Sequence, residues 1–281
     1  MSLREHVFIT ADQLARRLDA GEQITLLDVR WSLPEPDGVA AYEAGHLPGA
    51  VYVSLDDELT DHTVPGRGRH PLPSGRPLQV AARRWGVRTG VPVVVYDDWN
   101  RAASARGWWV LTAAGISDVR ILDGGLSAWT GELHTGTAMP VPGDVTVTHD
   151  DLYSAARPVV TADGVPGIGV LLDARAPERY RGEVEPVDPV AGHIPGALNV
   201  PSTSLLTADG TWGSQRELTE LFDAHGVAAD SDVAAYCGSG VTAAVTVAAL
   251  AAVGIDAALY PGSWSEWSAD PGRPVAREIT P

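Results

Sequence analysis

Short apolar, strand-like runs alternate with longer helix-like stretches along the chain. Four runs are apolar at nearly every position and partly β-branched, namely ITLLDV (24–29), VPVVVYD (91–97), GVLLDA (169–174) and DVAAYC (232–237). Such runs are typical of strands buried on both faces of a parallel sheet. The stretches 105–115 and 242–254 have helical composition and end at glycine, a common helix stop. The alternation predicts an α/β fold, with mainly parallel sheets covered by helices on both faces.

The same series of segments occurs twice. The first half contains TADQL (10–14), LLDVR (26–30), AGHLPGAVYV (44–53), VVVYDD (93–98) and LDGGLSAW (122–129). The second half contains THDDL (148–152), LLDAR (171–175), AGHIPGALNV (191–200), VAAYCG (233–238) and YPGSWSEW (260–267). This order predicts a tandem duplication, with one domain over 1–135, a linker over 136–147 and a second domain over 148–281.

Composition narrows the possible functions. The chain has 281 residues, of which 44% are hydrophobic, enough for two packed cores. A single cysteine excludes an intramolecular disulfide and an all-cysteine zinc site, so we expect a reducing cytoplasm and no metal or other cofactor. The sequence contains no lysine, which excludes Schiff-base chemistry. The net charge of -16 argues against nucleic-acid and membrane partners, and no apolar stretch has the length of a signal peptide or a membrane span.

Cys237, the only cysteine, opens the glycine-spaced loop CGSGVTA between a predicted strand and a predicted helix. Gly238 and Gly240 can adopt positive φ, which lets successive N–H groups converge on one atom. Those donors and the helix N-terminus would stabilise a thiolate and any anionic sulfur bound to it. A lone cysteine is otherwise often an inert buried side chain, and the loop disfavours that interpretation.

The duplication, the two AGH[LI]PGA segments, CGSGVTA and GSWSEW together resemble the two-domain rhodanese-type sulfurtransferases, and most of all the 3-mercaptopyruvate sulfurtransferases. The resemblance implies a rhodanese fold in each half and an active C-terminal copy. It also implies transfer of sulfur from 3-mercaptopyruvate, through a Cys237 persulfide, to cyanide or to a thiol such as thioredoxin, with release of pyruvate. Asp97 stands in the first half where Cys237 stands in the second, so the first domain is expected to be catalytically silent.

Further roles follow from the resemblance, residue by residue. Arg179 matches the arginine that binds the donor carboxylate, a task that suits a planar guanidinium. Ser239 matches a serine that relays a proton with a histidine and an aspartate, which would be His70 and Asp56 from the first domain. The site would then lie between the two copies. The substrate-binding loop would consist of Gly238, Gly240, Val241 and Thr242. For Arg179 and His70, a role as an ordinary surface residue remains the alternative.

Asp188 departs from the family pattern, because relatives often carry a second arginine at this position. A negative charge there cannot bind a carboxylate. Either Arg175, Arg181 or a backbone N–H replaces the arginine, or the donor preference has shifted. Thiosulfate is the alternative donor, although thiosulfate-preferring relatives place basic residues directly after the cysteine, where this chain has Gly238 and Ser239.

Two other functions compete with sulfur transfer. A cysteine-dependent phosphatase needs an arginine six residues after the nucleophile, and that residue is Ala243. A persulfide carrier without turnover would need neither Ser239 nor Arg179.

The repeated His46 and His193 precede a Pro-Gly turn in both halves, which indicates a structural role.

Overall fold

The computed structural model describes residues 2–277, which form two compact units. The first unit contains residues 2–61, 72–157 and 208–212, and the second contains 62–71, 158–207 and 213–277. Each unit therefore includes a short segment from the other half of the sequence. Residues 62–71 come from the first half of the sequence but belong to the second unit, and residues 208–212 come from the second half but belong to the first unit.

The first unit has a five-stranded parallel sheet in the order β1-β5-β4-β2-β3. Its strands are β1 (Phe8–Thr10), β2 (Thr25–Asp28), β3 (Val51–Tyr52), β4 (Val93–Tyr96) and β5 (Val119–Asp123). Its helices are α1 (Leu3–Val7), α2 (Ala11–Asp19), α3 (Val39–Ala44), α4 (Leu55–Glu58), α5 (Gly75–Arg84) and α6 (Ala102–Ala113). The central strands are buried along their length, which explains their continuous apolar sequences.

The second unit has a four-stranded parallel sheet in the order β7-β6-β8-β9. Its strands are β6 (Val170–Asp173), β7 (Leu198–Asn199), β8 (Val233–Tyr236) and β9 (Ala258–Leu259). Its helices are α7 (Pro177–Arg181), α8 (Gln215–Ala224), α9 (Ala243–Ala252) and α10 (Ser263–Trp267). A single parallel bridge from Val159 to Leu259 stands where β1 pairs with β5 in the first unit, so the strand order repeats. The predicted α/β fold is confirmed.

The duplication extends to a buried network at the carboxyl ends of β2 and β6. Arg30 Nη2 donates to Asp28 at 2.7 Å and to the Gly45 carbonyl at 2.5 Å. In the second unit, Arg175 Nη2 donates to Asp173 at 2.6 Å and to the Gly192 carbonyl at 2.8 Å. Each LLD-x-R segment thus ties its strand end to the AGH turn, because a buried charge pair needs further hydrogen bonds to be tolerated.

Residues of the predicted linker bond to the first unit. The N–H of Gly143 donates to the Arg83 carbonyl at 2.7 Å, and that of Gly136 donates to the Glu43 carbonyl at 2.8 Å. This segment is therefore held along the first unit, which continues to residue 157. Among the described residues, no helix is long and apolar enough to cross a membrane.

Candidate active site

Cys237 lies at the carboxyl end of β8, six residues before α9 begins at Ala243. The side chain is buried, and the N–H of Gly240 donates to its Sγ atom at 3.2 Å. The Cys237 N–H donates to Ser263 Oγ at 3.1 Å, and its carbonyl accepts the Trp264 N–H at 3.0 Å. These bonds anchor the thiol to the start of α10 as well as to its own loop.

Position 240 requires glycine for two reasons, its backbone conformation and the lack of space for a side chain. Its φ is +77°, and an added Cβ would lie 2.3 Å from the Pro261 carbonyl oxygen. Any side chain would therefore be strained and would collide with the neighbouring loop. The next two loop residues lead directly into α9, with Val241 buried and Thr242 at the N-cap position. The loop conformation that directs an N–H toward sulfur depends on this glycine.

Ser239 and His70 meet in the second unit. His70 Nδ1 lies 2.7 Å from Ser239 Oγ, and both side chains are buried. The contact arises because the segment 62–71 packs in this unit, where the N–H of Arg69 donates to Ser265 Oγ at 3.0 Å. A hydroxyl at this distance from an imidazole can exchange a proton with it. Asp56 belongs to the first unit, on α4, and its role stays a prediction.

Two arginine side chains lie beside Gly238, the residue after the thiol. A Cβ added to Gly238 would lie 3.4 Å from Arg179 Nη1 and 3.4 Å from Arg69 Nη2. Arg179 extends from α7, whereas Arg69 directly precedes His70. Sequence reasoning singled out Arg179 but missed Arg69. The available signal was the segment RGRH, which places arginines next to the proposed histidine.

Asp188 bridges these two arginines. Its Oδ1 accepts from Arg69 Nη1 at 2.8 Å, and its Oδ2 accepts from Arg179 Nη2 at 3.3 Å. Glu185 adds a second acidic contact, at 2.7 Å from Arg179 Nη2. At the position where the resemblance leads us to expect an arginine, the structure thus has an acid that links two guanidinium groups.

The two arginines that could have replaced the missing one have acidic partners of their own. Arg175 is almost fully buried and pairs with Asp173 at 2.6 Å. Arg181 pairs with Glu183 at 2.7 Å on the surface. In the described residues, therefore, Arg69 is the additional guanidinium that the structure brings to Gly238.

The repeated histidines have matching structural roles. His46 Nδ1 lies 2.9 Å from the Tyr42 carbonyl, and His193 Nδ1 lies 2.8 Å from the Tyr180 carbonyl. Each ring also stacks on its tyrosine, with centroids 4.1 Å and 3.8 Å apart. Because a carbonyl can only accept, each Nδ1 must carry its proton. Both histidines hold a helix end against the AGH turn.

The corresponding loop of the first unit is closed by Asp97. Its Oδ1 accepts the N–H groups of Trp99 at 3.1 Å and Arg101 at 3.3 Å. Its Oδ2 accepts both the N–H of Ser104 at 3.0 Å and the Ser104 hydroxyl at 2.7 Å. The loop therefore holds a carboxylate of the chain itself, which cannot act as a sulfur nucleophile.

Comparison with known proteins agrees with this geometry. The model of the family described as Rhodanese-like domain matches residues 10–132 and 161–270. The chain belongs to the rhodanese family. The resemblance to two-domain rhodanese-type sulfurtransferases is confirmed, and so is the assignment to the sulfurtransferase class of enzymes.

Three relatives illustrate the range of this similarity. A Mycobacterium tuberculosis protein, provisionally named thiosulfate sulfurtransferase SseB, is 63% identical over 99% of both chains. The Escherichia coli 3-mercaptopyruvate sulfurtransferase is 37% identical, over 95% of this chain and 97% of its own. The crystal structure of Escherichia coli SseA, described as a 3-mercaptopyruvate sulfotransferase of rhodanese fold, superposes with a TM-score of 0.79 at 36% identity. It covers 92% of this rhodanese chain and 98% of its own.

Proposed function

We propose that this rhodanese transfers sulfur from 3-mercaptopyruvate to a thiol through a persulfide on Cys237. One observation carries the proposal: three consecutive loop residues present a thiol, an open glycine facing guanidinium groups, and a hydroxyl bonded to an imidazole. These are Cys237 with the Gly240 N–H on its sulfur, Gly238 beside Arg179, and Ser239 bonded to His70. A donor of this kind needs a nucleophile for its sulfur, a cation for its carboxylate and a proton donor for the departing enolate. The three loop residues and the side chains that they contact supply these groups.

The first half-reaction starts with attack of the Cys237 thiolate on the donor's sulfur. The donor's carbon–sulfur bond breaks, and its electron pair becomes the enolate of pyruvate. Ser239 lies next to the nucleophile and can donate its proton to that enolate, while His70 replaces the proton on the hydroxyl. The Gly240 N–H can stabilise the anionic persulfide sulfur that remains.

The second half-reaction regenerates the enzyme. An acceptor thiolate attacks the outer persulfide sulfur, the sulfur–sulfur bond to Cys237 breaks, and the Cys237 thiolate leaves. The mechanism is therefore ping-pong. A thiol such as thioredoxin or a small thiol is the proposed acceptor, with cyanide as a substitute in assays. The reducing cytoplasm is the proposed location, because the single cysteine must be a thiol to react.

The names of the relatives divide between two donors, so the choice of donor needs its own argument. Thiosulfate is a compact dianion, whereas 3-mercaptopyruvate carries one carboxylate. Two acidic residues, Asp188 and Glu185, contact the guanidiniums near Gly238 and reduce the positive potential that a dianion would need. We therefore expect kcat/KM to favour 3-mercaptopyruvate by at least about tenfold, which is ~1.4 kcal/mol of transition-state stabilisation.

The experiment is a comparison of wild type with Cys237→Ser. After incubation with 3-mercaptopyruvate alone, the wild-type mass should rise by one sulfur and pyruvate should appear in equal amount, whereas Cys237→Ser should show neither. Adding an acceptor thiol should then allow steady turnover in the wild type. Turnover in Cys237→Ser would contradict the mechanism. Persulfide formation without turnover would favour the carrier function, and a donor ratio at or below one would favour thiosulfate.

A further inference from the structure

Asp188 stands where the family resemblance leads us to expect a second arginine, and an arginine of the second unit contacts it. Arg69 reaches the same acid from a segment that is 119 residues away in sequence. Two features place the segment beside α10. The Arg69 N–H donates to Ser265 Oγ, and Gly68 has φ +80° with no room for a side chain, since an added Cβ would lie 2.4 Å from the Gly262 carbonyl oxygen. Arg69 is thus held by its backbone as well as by its side chain.

Each guanidinium has one terminal nitrogen on the acids and one facing the cysteine loop. Arg69 Nη1 bonds to Asp188, and Arg179 Nη2 bonds to Glu185 and Asp188. The other terminal nitrogens, Arg69 Nη2 and Arg179 Nη1, lie nearest the loop, each 3.4 Å from a Cβ built on Gly238, and Arg179 Nη2 follows at 3.7 Å. Within residues 2–277, neither of these two nitrogens hydrogen-bonds to another protein atom. Two N–H groups from different arginines are therefore presented at one point beside the nucleophile.

We propose that Arg69 is the second residue that binds the donor's carboxylate, paired with Arg179 above Gly238, and that Asp188 positions both guanidiniums. This inference rests on the proposed function. One carboxylate oxygen would accept from Arg69 Nη2 and the other from Arg179 Nη1, replacing the fork of a single arginine. Gly238 leaves room for the carboxylate because it has no side chain.

The charges in this cluster define the class of donor. Arg69 and Arg179 face Asp188 and Glu185, and Glu185 also lies 3.6 Å from Arg175, which pairs with Asp173. Three guanidiniums thus face three carboxylates, so the cluster has no net charge before the donor binds. A single carboxylate can be held by directed hydrogen bonds without a large field, whereas a dianion such as thiosulfate depends more on net positive charge. The arrangement therefore selects monoanionic α-keto acid thiols, and Asp188 contributes to the selection by lowering the local charge.

The decisive experiment combines Arg69→Gln with a matched pair of donors. The first donor is 3-mercaptopyruvate, and the second is mercaptoacetone, which has a methyl group in place of the carboxylate. Arg69→Gln should lower kcat/KM for 3-mercaptopyruvate by about tenfold or more, since a hydrogen bond to a charged group is lost. It should change kcat/KM for mercaptoacetone by less than about twofold, because no carboxylate is present. Arg181→Gln, which removes an arginine paired on the surface, is the control and should affect neither donor.

Equal losses on both donors, or no loss on 3-mercaptopyruvate, would overturn the role of Arg69. Absence of 3-mercaptopyruvate turnover in the wild type would instead overturn the proposed function, so the two failures are distinguishable. If Arg69→Gln does not fold, Arg69→Lys keeps the charge and tests the same point. It should still lose at least threefold on 3-mercaptopyruvate alone, because an ammonium on a flexible stem replaces the planar guanidinium.

Asp188→Asn tests the positioning residue through donor selectivity. The substitution keeps one acceptor oxygen and adds one unit of positive charge to the cluster. We expect the thiosulfate to 3-mercaptopyruvate ratio of kcat/KM to rise at least threefold, together with a higher KM for 3-mercaptopyruvate as the two guanidiniums lose their common anchor. A loss of folding stability alone would lower both donors equally. An unchanged ratio would therefore remove Asp188 from the selection of donors.

Discussion

Asp97→Ala should destabilise the first unit strongly while leaving sulfur transfer intact. Asp97 is buried and accepts four hydrogen bonds, two on each carboxylate oxygen. It also lies 3.3 Å from Arg101 Nη2, another buried group. Arg101 has φ +63°, a left-handed conformation that is costly for a residue with a side chain and that the bonds to Asp97 help to hold.

The expected loss in free energy of unfolding follows from the buried Arg101 guanidinium that Asp97→Ala leaves without its carboxylate partner. Removing one partner of a buried ion pair costs about 3–5 kcal/mol, because the remaining charge stays desolvated. The bonds from the backbone N–H groups are lost at the same time, but water that enters the space left by the carboxylate offsets part of that loss. We therefore expect the free energy of unfolding of the first unit to fall by about 3–5 kcal/mol, and its Tm by roughly 10 °C.

The assay is hydrogen exchange of the amides in α6, read by mass spectrometry of its peptides. Asp98→Ala is the matched control, because Asp98 is substantially exposed and its nearest arginine nitrogen is 3.9 Å away. It should change the opening free energy of α6 by less than about 0.5 kcal/mol. Turnover at 25 °C should be unchanged in both variants, since neither Asp97 nor Asp98 has a role in the proposed sulfur transfer and the first unit should remain folded at this temperature. A change below 1 kcal/mol in Asp97→Ala would refute the view that this carboxylate holds the loop.

Three further outcomes are expected. Ser239→Ala and His70→Ala should each lower kcat by about a hundredfold. The double variant should be no worse than either single variant, because the two side chains act as one unit, and additive losses in steady-state kinetics would contradict this. Burial raises the pKa of Glu266, so the folded state binds its proton more tightly than the unfolded state, and stability should fall as pH rises through that pKa. Glu266→Gln should flatten this slope in urea unfolding between pH 4 and pH 7, and parallel slopes in the two proteins would reject the assignment. Gly240→Ala should abolish persulfide formation and lower the free energy of unfolding by more than Gly226→Ala does. Gly226 shares a positive φ but has nothing within 4 Å of an added Cβ, so equal losses of stability would show that crowding at Gly240 is unimportant.

The sequence alone determined the local features of this rhodanese. The central strands could be predicted because burial on both faces demands continuous apolar runs, and their observed bounds lie inside the predicted ones. The duplication was visible because both copies keep the same segments in the same order. The position of Cys237 between β8 and α9 followed from a strand, a glycine-spaced loop and a helix that are adjacent in the chain. All of these signals act over short distances along the backbone.

The tertiary structure decided which distant residues share the site. His70 meets Ser239 across 169 residues, and Arg69 meets Asp188 across 119. No periodicity reports contacts of such separation, since they depend on which unit the segment 62–71 packs with. In the sequence, Asp188 was a negative charge where a positive one was expected. The structure shows that Asp188 lies between two guanidinium groups and bonds to both. The sequence could not show this, because the electrostatics of a site depend on distances in space and not on order in the chain.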